Sequence, residues 1–281
     1  EGLVGSEMCI RDREKGFKVF VSDFGSINKK YKNVLLRNDI EWEEGQHSIP
    51  KILNADIVMK SPGIPETVSI VKKLISKGVS ILSEIEFAAQ YTSSKIIGVT
   101  GSNGKTTTTI MINHILKNAK LDVLMAGNIG DSFAKKIKLS PDIFVLELSS
   151  FQLDGIINFC PHIAVITNIT PDHLDRYDNK FENYVASKFR ILMNQTKNDF
   201  LIYDADDPVI VSYLDSHDIK SVLIPFTLEK SVVQGAIYKD KVITITINNN
   251  IIHMPTSNLT LEGKHNIKNA MAAATVAHLL K

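Results

Sequence analysis

The run GVTGSNGKTTTTIMI, Gly98 to Ile112, constrains the fold more than any other part of the chain. An apolar β-like stretch, KIIGVT, ends in a glycine turn, passes through Gly104-Lys105-Thr106 and enters a helical pattern. Backbone N–H groups gathered in such a turn, at a helix N-terminus, cradle phosphate. A lysine placed there reaches terminal phosphates, and the hydroxyl after it can hold Mg²⁺. Gly101, Ser102, Asn103, Gly104, Lys105, Thr106 and Thr107 are therefore the candidate phosphate-binding residues. The spacing is the short G-x-x-G-K-T form, because the strict P-loop glycine position is held by Val99. A plain Gly-rich turn is the alternative. Strand, turn, Lys-Thr and helix in that order favour phosphate.

A chain of 281 residues, 44% hydrophobic and 22% charged, has the material for about two globular domains. The net charge is +1 and no Lys/Arg block stands out, which argues against nucleic-acid and membrane-surface partners. No apolar run approaches the ~20 residues of a membrane helix. Cys9 and Cys160 give no disulfide framework, and no secretory signal is read, so a cytoplasmic setting is expected. Met8 to Arg13 read MCIRDR, which back-translates in frame onto ATGTGTATAAGAGACAG, a transposon-end sequencing adapter. Residues 1–15 are expected to be an adapter-derived tail. The last run, NAMAAATVAHLLK, stops without a capping signal, so the chain is read as a fragment at both ends.

Residues 16–93 alternate short apolar strands with turns and helical segments. FKVFVSD reads as a strand ending in Asp23, and ADIVMKSPGIP as a strand with a Pro-Gly turn at Gly63. SIVKKLISKG has helical spacing and a terminal glycine. VSILSEIEFAAQY is a strand running into a helix. Residues 94–281 repeat the alternation after the phosphate loop. LDVLMAG, DIFVLELSS and HIAVITNI are continuous apolar strands, as expected when both sheet faces are covered. Phe181–Gln195 reads as an amphipathic helix, and NDFLIYDADDP as a strand. VVQGAIYKDKVITITINNNIIHM alternates like antiparallel hairpins. The fold expected is α/β: a Rossmann-like N-terminal domain, then a P-loop-type central domain with a mostly parallel sheet and a small antiparallel addition.

In an open α/β sheet, ligands meet the carboxyl ends of the strands. Three polar motifs fall there: NIG with Asn128, ELSSFQL with Glu147 and Ser149, and NITPDHLDRY with His173. Glu147 closes an apolar strand, where a carboxylate is costly unless it meets a cation or a donor. Beside Thr106 and a phosphate, Mg²⁺ is its natural partner, with a nearby lysine the alternative. His173 is either a metal ligand or a loop histidine capping its own turn. Lys188 on the amphipathic helix would, taken bare, be solvated. Asn266 and Asn269 lie three apart on one helix face, placed either to read an adenine edge or to cap the helix.

GSNGKTT, NIG, ELSSFQL, NITPDHLDRY, the Tyr184-to-Lys188 helix and GKHNIKNAMAA occur in the order seen in the Mur ligases. The chain resembles that family from about Gly16 onward, and ELSSFQL and SEIEF look most like the members that add D-glutamate. The resemblance implies an ATP-dependent ligase acting on UDP-N-acetylmuramoyl-L-alanine and D-glutamate, as a monomer. It implies that Gly104, Lys105 and Thr106 hold ATP phosphates and that Asn266 and Asn269 face the adenine. Thr106 and Glu147 would hold one Mg²⁺; His173 and a carbamylated Lys188 would hold a second. Asn128 and Ser149 would position the acyl substrate, and Asp23 and Gly63 would meet the uridine nucleotide.

Three departures stand beside this likeness. The first strand and Gly-rich loop of the family should precede Phe17, where the suspected tail lies. Phe24 follows Asp23, in place of a small hydroxyl residue. The amino-acid-binding third domain is not found, so residues 1–281 alone are expected not to ligate. Another Mur-type ligase, a folylpolyglutamate-type ligase or a non-catalytic P-loop module are the competing readings.

Overall fold

The computed structural model describes Cys9, Arg13 and residues 16–258 and 263–281. Of the stretch read as a tail, 1–15, only Cys9 and Arg13 are thus described. Contacts divide the chain into two compact units. One comprises Glu1–Thr92, Ser132–Lys138 and Gly155–Ile157; the other comprises Ser93–Asp131, Leu139–Asp154 and Asn158–Lys281.

The first unit is built from two parallel strand pairs. β1 (Phe20–Asp23) pairs with β2 (Glu41–Glu44) across α1 (Lys29–Arg37). After α2 (Ile49–Leu53), β3 (Ile57–Met59) pairs with β4 (Ser80–Leu82) across α3 (Ser69–Lys77). Parallel neighbours need such crossovers. The SEIEF stretch forms α4 (Glu84–Ala89). Gly78 ends α3 with φ 75°, the left-handed cap that glycine adopts without a Cβ penalty. Cys9, Val21, Ile27, Leu35 and Ile40 make a small core. The strand expected from Phe17 begins at Phe20. β2, an EWEE run, escapes a hydrophobic pattern because only Trp42 in it is apolar.

The second unit holds a nine-stranded sheet. Its parallel part comprises β5 (Lys95–Thr100), β6 (Val123–Gly127), β7 (Ile143–Glu147), β8 (Ile163–Ile166), β9 (Phe200–Asp204), β10 (Val222–Thr227) and β11 (Gly235–Lys239). β12 (Val242–Ile247) and β13 (Asn250–Pro255) add antiparallel at one edge. The sheet order β13-β12-β11-β10-β9-β8-β5-β7-β6 puts β5 between β7 and β8. There the chain's progress along the sheet reverses, so the loops after β5, β7 and β8 share one crevice.

α5 (Lys105–Asn118) follows β5, α6 (Phe133–Lys136, in the first unit) follows β6, and α7 (Ser150–Asp154) follows β7. α8 (Phe181–Phe189), α9 (Pro208–Ser216) and α10 (Lys264–Leu279) complete the helices used below. The helix expected over Phe181–Gln195 tightens into a 3₁₀ turn at Arg190–Leu192. Strand residues such as Val99, Val145, Val165 and Ile202 share a core with Met271 and the small side chains Ala270, Ala272 and Ala273 of α10. Those alanines let α10 lie close against α5. Among the described residues, no helix is long and apolar enough to cross a membrane.

Candidate active site

The phosphate loop is braced from the β8 side. Thr167 Oγ1 donates to Asn103 O at 2.6 Å. The Asn168 amide donates to Asn103 O at 2.9 Å and accepts Asn103 N–H at 2.9 Å. Ser102 N–H donates to Asn168 O at 2.8 Å, and its hydroxyl donates to Thr170 O at 2.8 Å. The same hydroxyl lies 3.1 Å from Tyr184 Oη, which ties the loop to α8. Gly101 has φ 146°, and a Cβ there would stand 2.0 Å from Thr167 Oγ1. The loop and the NIT strand end are thus fitted backbone to side chain, leaving no room for another residue at that glycine.

At the start of α5, Lys105 Nζ donates to Gly101 O and Ser102 O, both at 2.9 Å. Its ammonium curls over the turn where a phosphate would sit. Burial pulls its pKa below the usual lysine range, against the opposing pull of Glu147 and Asp172. Thr107 occupies the first helical turn beside it. Glu147, 2% exposed at the end of β7, is satisfied by two donors. Thr106 Oγ1 donates to Oε2 at 2.7 Å, and Asn128 Nδ2 donates to Oε1 at 2.8 Å. Thr106, Glu147 and Asn128, from three successive strand ends, therefore meet directly.

Lys188 is 2% exposed, one helical turn beyond Tyr184, with Nζ 4.7 Å from the Tyr184 ring centroid. Burial, then repulsion from Lys105, lowers its pKa to about 7; Asp172 and Asp154 pull the other way. Asp154 is itself fixed by the hydroxyls of Ser187 (2.6 Å) and Tyr177 (2.9 Å). His173 is an exposed residue with φ 50°, its ring 5.2 Å from that of Phe151. Its Nε2 lies 3.5 Å from Asp172 Oδ2, and its side chain makes no cap to the following 3₁₀ turn. Asp172 is the group that both His173 and Lys188 meet, by proximity and by field.

At the other side of the loop, Asn269 of α10 accepts from Thr108 Oγ1 at 3.2 Å. A Cβ on Gly104, φ 80°, would stand 2.5 Å from Asn269 Oδ1, so this asparagine lies against the phosphate turn. Asn266 sits one turn earlier and half-buried; the helix N-cap position is held by Gly263, not by either asparagine.

Residues 99–277 match the Mur ligase middle domain, and residues 7–70 match the MurD N-terminal domain. The chain belongs to the Mur ligase family. Over its whole length it is 53% identical to the UDP-N-acetylmuramoylalanine–D-glutamate ligase of Christiangramia forsetii, and spans 63% of that protein. It is 47% identical over 99% of its length to the enzyme of that name from Bacteroides fragilis, again spanning 63% of it. The fold is that of the UDP-N-acetylmuramate:L-alanyl-γ-D-glutamyl-meso-diaminopimelate ligase of Neisseria meningitides, with TM-score 0.64 and 17% identity over 99% of this chain and 91% of that one. The N-terminal match starts at residue 7, so it includes Met8–Arg13.

The Mur ligase chain treats the remaining candidates differently. Ser149 is engaged locally, its N–H and Oγ donating to Gln152 Oε1 at 3.0 and 3.1 Å. Asp23, in the first unit, accepts Gly25 N–H at 2.8 Å in a turn after β1. Gly63 is exposed in its turn, and a Cβ there would meet nothing within 4 Å. Asp172, Asp154, Asn168 and Tyr184 join the candidate site without a role having been expected of them from the motifs. Asn168 and Asp172 stood inside the NITPDHLDRY motif, and Tyr184 one helical turn before Lys188; that spacing was the available signal.

Proposed function

We propose that this Mur ligase is an ATP-dependent acid–amino-acid ligase joining D-glutamate to UDP-N-acetylmuramoyl-L-alanine in peptidoglycan precursor synthesis. One observation carries the reading: Thr106 and Asn128 both bond the buried Glu147 carboxylate, next to a braced phosphate loop and its lysine. The names of the relatives at 53% and 47% identity support the substrate assignment. The protein acts as a cytoplasmic monomer serving wall growth and cell division.

ATP phosphates take the loop from Gly101 to Thr107, and the adenine end lies toward Asn266 and Asn269. The donor set fits Mg²⁺: a hydroxyl and a carboxylate are hard oxygen ligands, and this ion is held by few protein groups together with phosphates. Thr106 and Glu147 would hold one ion, whose charge would offset that on the phosphoryl group in transfer. Lys188, with a pKa brought down to about 7, is unprotonated for much of the time at neutral pH. Its amine can therefore take up CO₂, and the carbamate with His173 would hold a second ion. Asn128 and Ser149 orient the acyl substrate; Asp23 and Gly63 serve the uridine nucleotide.

The carboxylate of the alanyl substrate attacks the γ-phosphorus of ATP and ADP leaves, giving an acyl phosphate. Lys105, released from Gly101 O and Ser102 O, stabilises charge on the phosphoryl oxygens. The amine of D-glutamate then attacks the acyl carbon, and the tetrahedral adduct expels phosphate to leave the amide.

The test uses the complete reading frame of the gene. Purified enzyme is mixed with ATP, Mg²⁺, UDP-N-acetylmuramoyl-L-alanine and, separately, D-glutamate, L-lysine, diaminopimelate or L-glutamate. A product mass only with D-glutamate is expected. Amide formation with a different amino acid, or with none, overturns the assignment.

A further inference from the structure

α4 carries two buried carboxylates that the reaction does not use. Glu84 is 8% exposed and Glu86 1% exposed. Both carboxylates reach beyond their own helix, whose N-cap is Ser83, the acceptor of Glu86 N–H at 3.1 Å. Glu84 Oε1 accepts Ala134 N–H at 2.6 Å, and its carboxylate also takes the N–H of Phe133. Glu86 Oε2 accepts Ile157 N–H at 2.8 Å. Gly155 comes so near Ser83 that a Cβ on it would lie 2.8 Å from Ser83 Cβ.

These partners are not scattered. Ala134 and Phe133 belong to Ser132–Lys138, and Gly155 and Ile157 to Gly155–Ile157; these are the two segments of later sequence counted in the first unit. Each continues a loop assigned to the acyl substrate. Ser132 lies two residues after the Asn128–Gly130 turn, and Gly155 directly after the α7 helix that follows Ser149. A carboxylate accepting backbone N–H groups makes a strong, directional bond. Taking it from water is costly unless such bonds are made, and burial pushes Glu84 up to about 7. That cost is reasonable for a device that fixes a backbone position.

We infer that Ser83, Glu84 and Glu86 form a clamp that anchors the downstream ends of the two substrate loops, and so act as positioning residues for Asn128 and Ser149. The inference rests on the assignment of those two residues to the acyl substrate. The clamp itself is a matter of backbone anchoring and can be measured separately.

The test compares the complete enzyme with Glu84→Leu, Glu86→Leu, their Gln counterparts and Gly155→Ala. Gln keeps an acceptor oxygen, so it restores most of the function; Leu keeps none. Amide hydrogen exchange is expected to quicken about tenfold or more at 128–131 in Glu84→Leu and at 149–153 in Glu86→Leu. The phosphate loop, 99–107, should not change. Binding of UDP-N-acetylmuramoyl-L-alanine is expected to weaken about tenfold or more, with ATP affinity held within about twofold. If the Leu variants fail to fold, Gly155→Ala gives the same readout at 149–153 by pushing that segment off Ser83. Unchanged exchange in both loops overturns the clamp, as does an equal loss of both ligands. Wild-type enzyme that binds no UDP precursor would defeat the substrate assignment, while the exchange data would still decide the clamp.

Discussion

Lys188→Met should make the protein more stable at neutral pH and flatten part of its stability profile. The ammonium of Lys188 is 2% exposed and sits near Lys105. Burial first, and Lys105 second, lower its pKa from 10.5 to about 7. Between those values the unfolded chain binds a proton that the folded chain does not, so stability rises with pH. It is fully present above the unfolded value, falls as pH drops from 10.5 toward 7, and levels off below. Each pH unit in that window is worth about 1.4 kcal/mol. At pH 8 the wild-type protein therefore lies about 3 kcal/mol below its alkaline maximum. Methionine fills a similar volume without a charge, and because the folded-state amine is already mostly neutral at pH 8 no cation–π contact with Tyr184 is lost. The expected gain at pH 8 is about 3 kcal/mol, shrinking to nothing as pH approaches 10.5. Urea denaturation of both proteins at several pH values from 7 to 9, in CO₂-free buffer without nucleotide or divalent ions, measures it. Parallel pH slopes for the two proteins, or a less stable Lys188→Met at pH 8, would refute the reasoning.

Glu84 predicts the opposite slope at lower pH. Burial raises its pKa from 4.5 to about 7, so the folded state holds a proton that the unfolded state releases. Stability is fully present below 4.5 and falls by about 3 kcal/mol as pH climbs through 7; Glu84→Gln should remove that limb in urea melts. Gly101→Ala should cost more than Gly104→Ala, because its Cβ meets the pinned Thr167 hydroxyl at 2.0 Å, whereas Gly104 meets the movable end of Asn269 at 2.5 Å. Both should weaken ATP binding, read by calorimetry. Lys268→Met leaves Asp204 and Asp206, its partners at 2.7 and 3.2 Å, without their cation. A loss of about 3–5 kcal/mol in urea is expected, with much of it restored by adding Asp204→Asn.

The parts of the site that the sequence made legible are those in which one residue type has few physical options. The Gly-Lys-Thr turn lies between a strand and a helix as its pattern predicts, and Glu147 at the end of IFVLE meets donors, as a buried carboxylate must. The structure supplies Thr106 and Asn128, both already candidates, rather than the lysine that was the alternative. What stayed hidden depends on distance across the fold. Asp172 lies 67 residues from Lys105 and Asp154 lies 34 from Lys188, and only the sheet order brings their fields together. Likewise, the two glutamates of SEIEF read as a helix N-terminus, where acidic residues are common. Their bonds to Ala134 and Ile157 run 50 and 71 residues away, beyond the reach of any local pattern.

The site also solves a problem that every buried charged pocket faces between ligands. A carboxylate or ammonium removed from water needs partners at all times, not only when substrate is bound. Here the residues assigned to ligands satisfy one another. Glu147 holds Thr106 and Asn128, and Lys105 holds the carbonyls of its own loop. A ligand bound at these residues would exchange one set of bonds for another. Lys188 differs: its Nζ lies over the Tyr184 ring, and its charge is resisted by Lys105. A group left without a hydrogen-bonded counter-ion inside such a pocket relieves the cost by giving up its proton. The same arrangement that satisfies Glu147 and Lys105 therefore leaves this one amine with a lowered pKa.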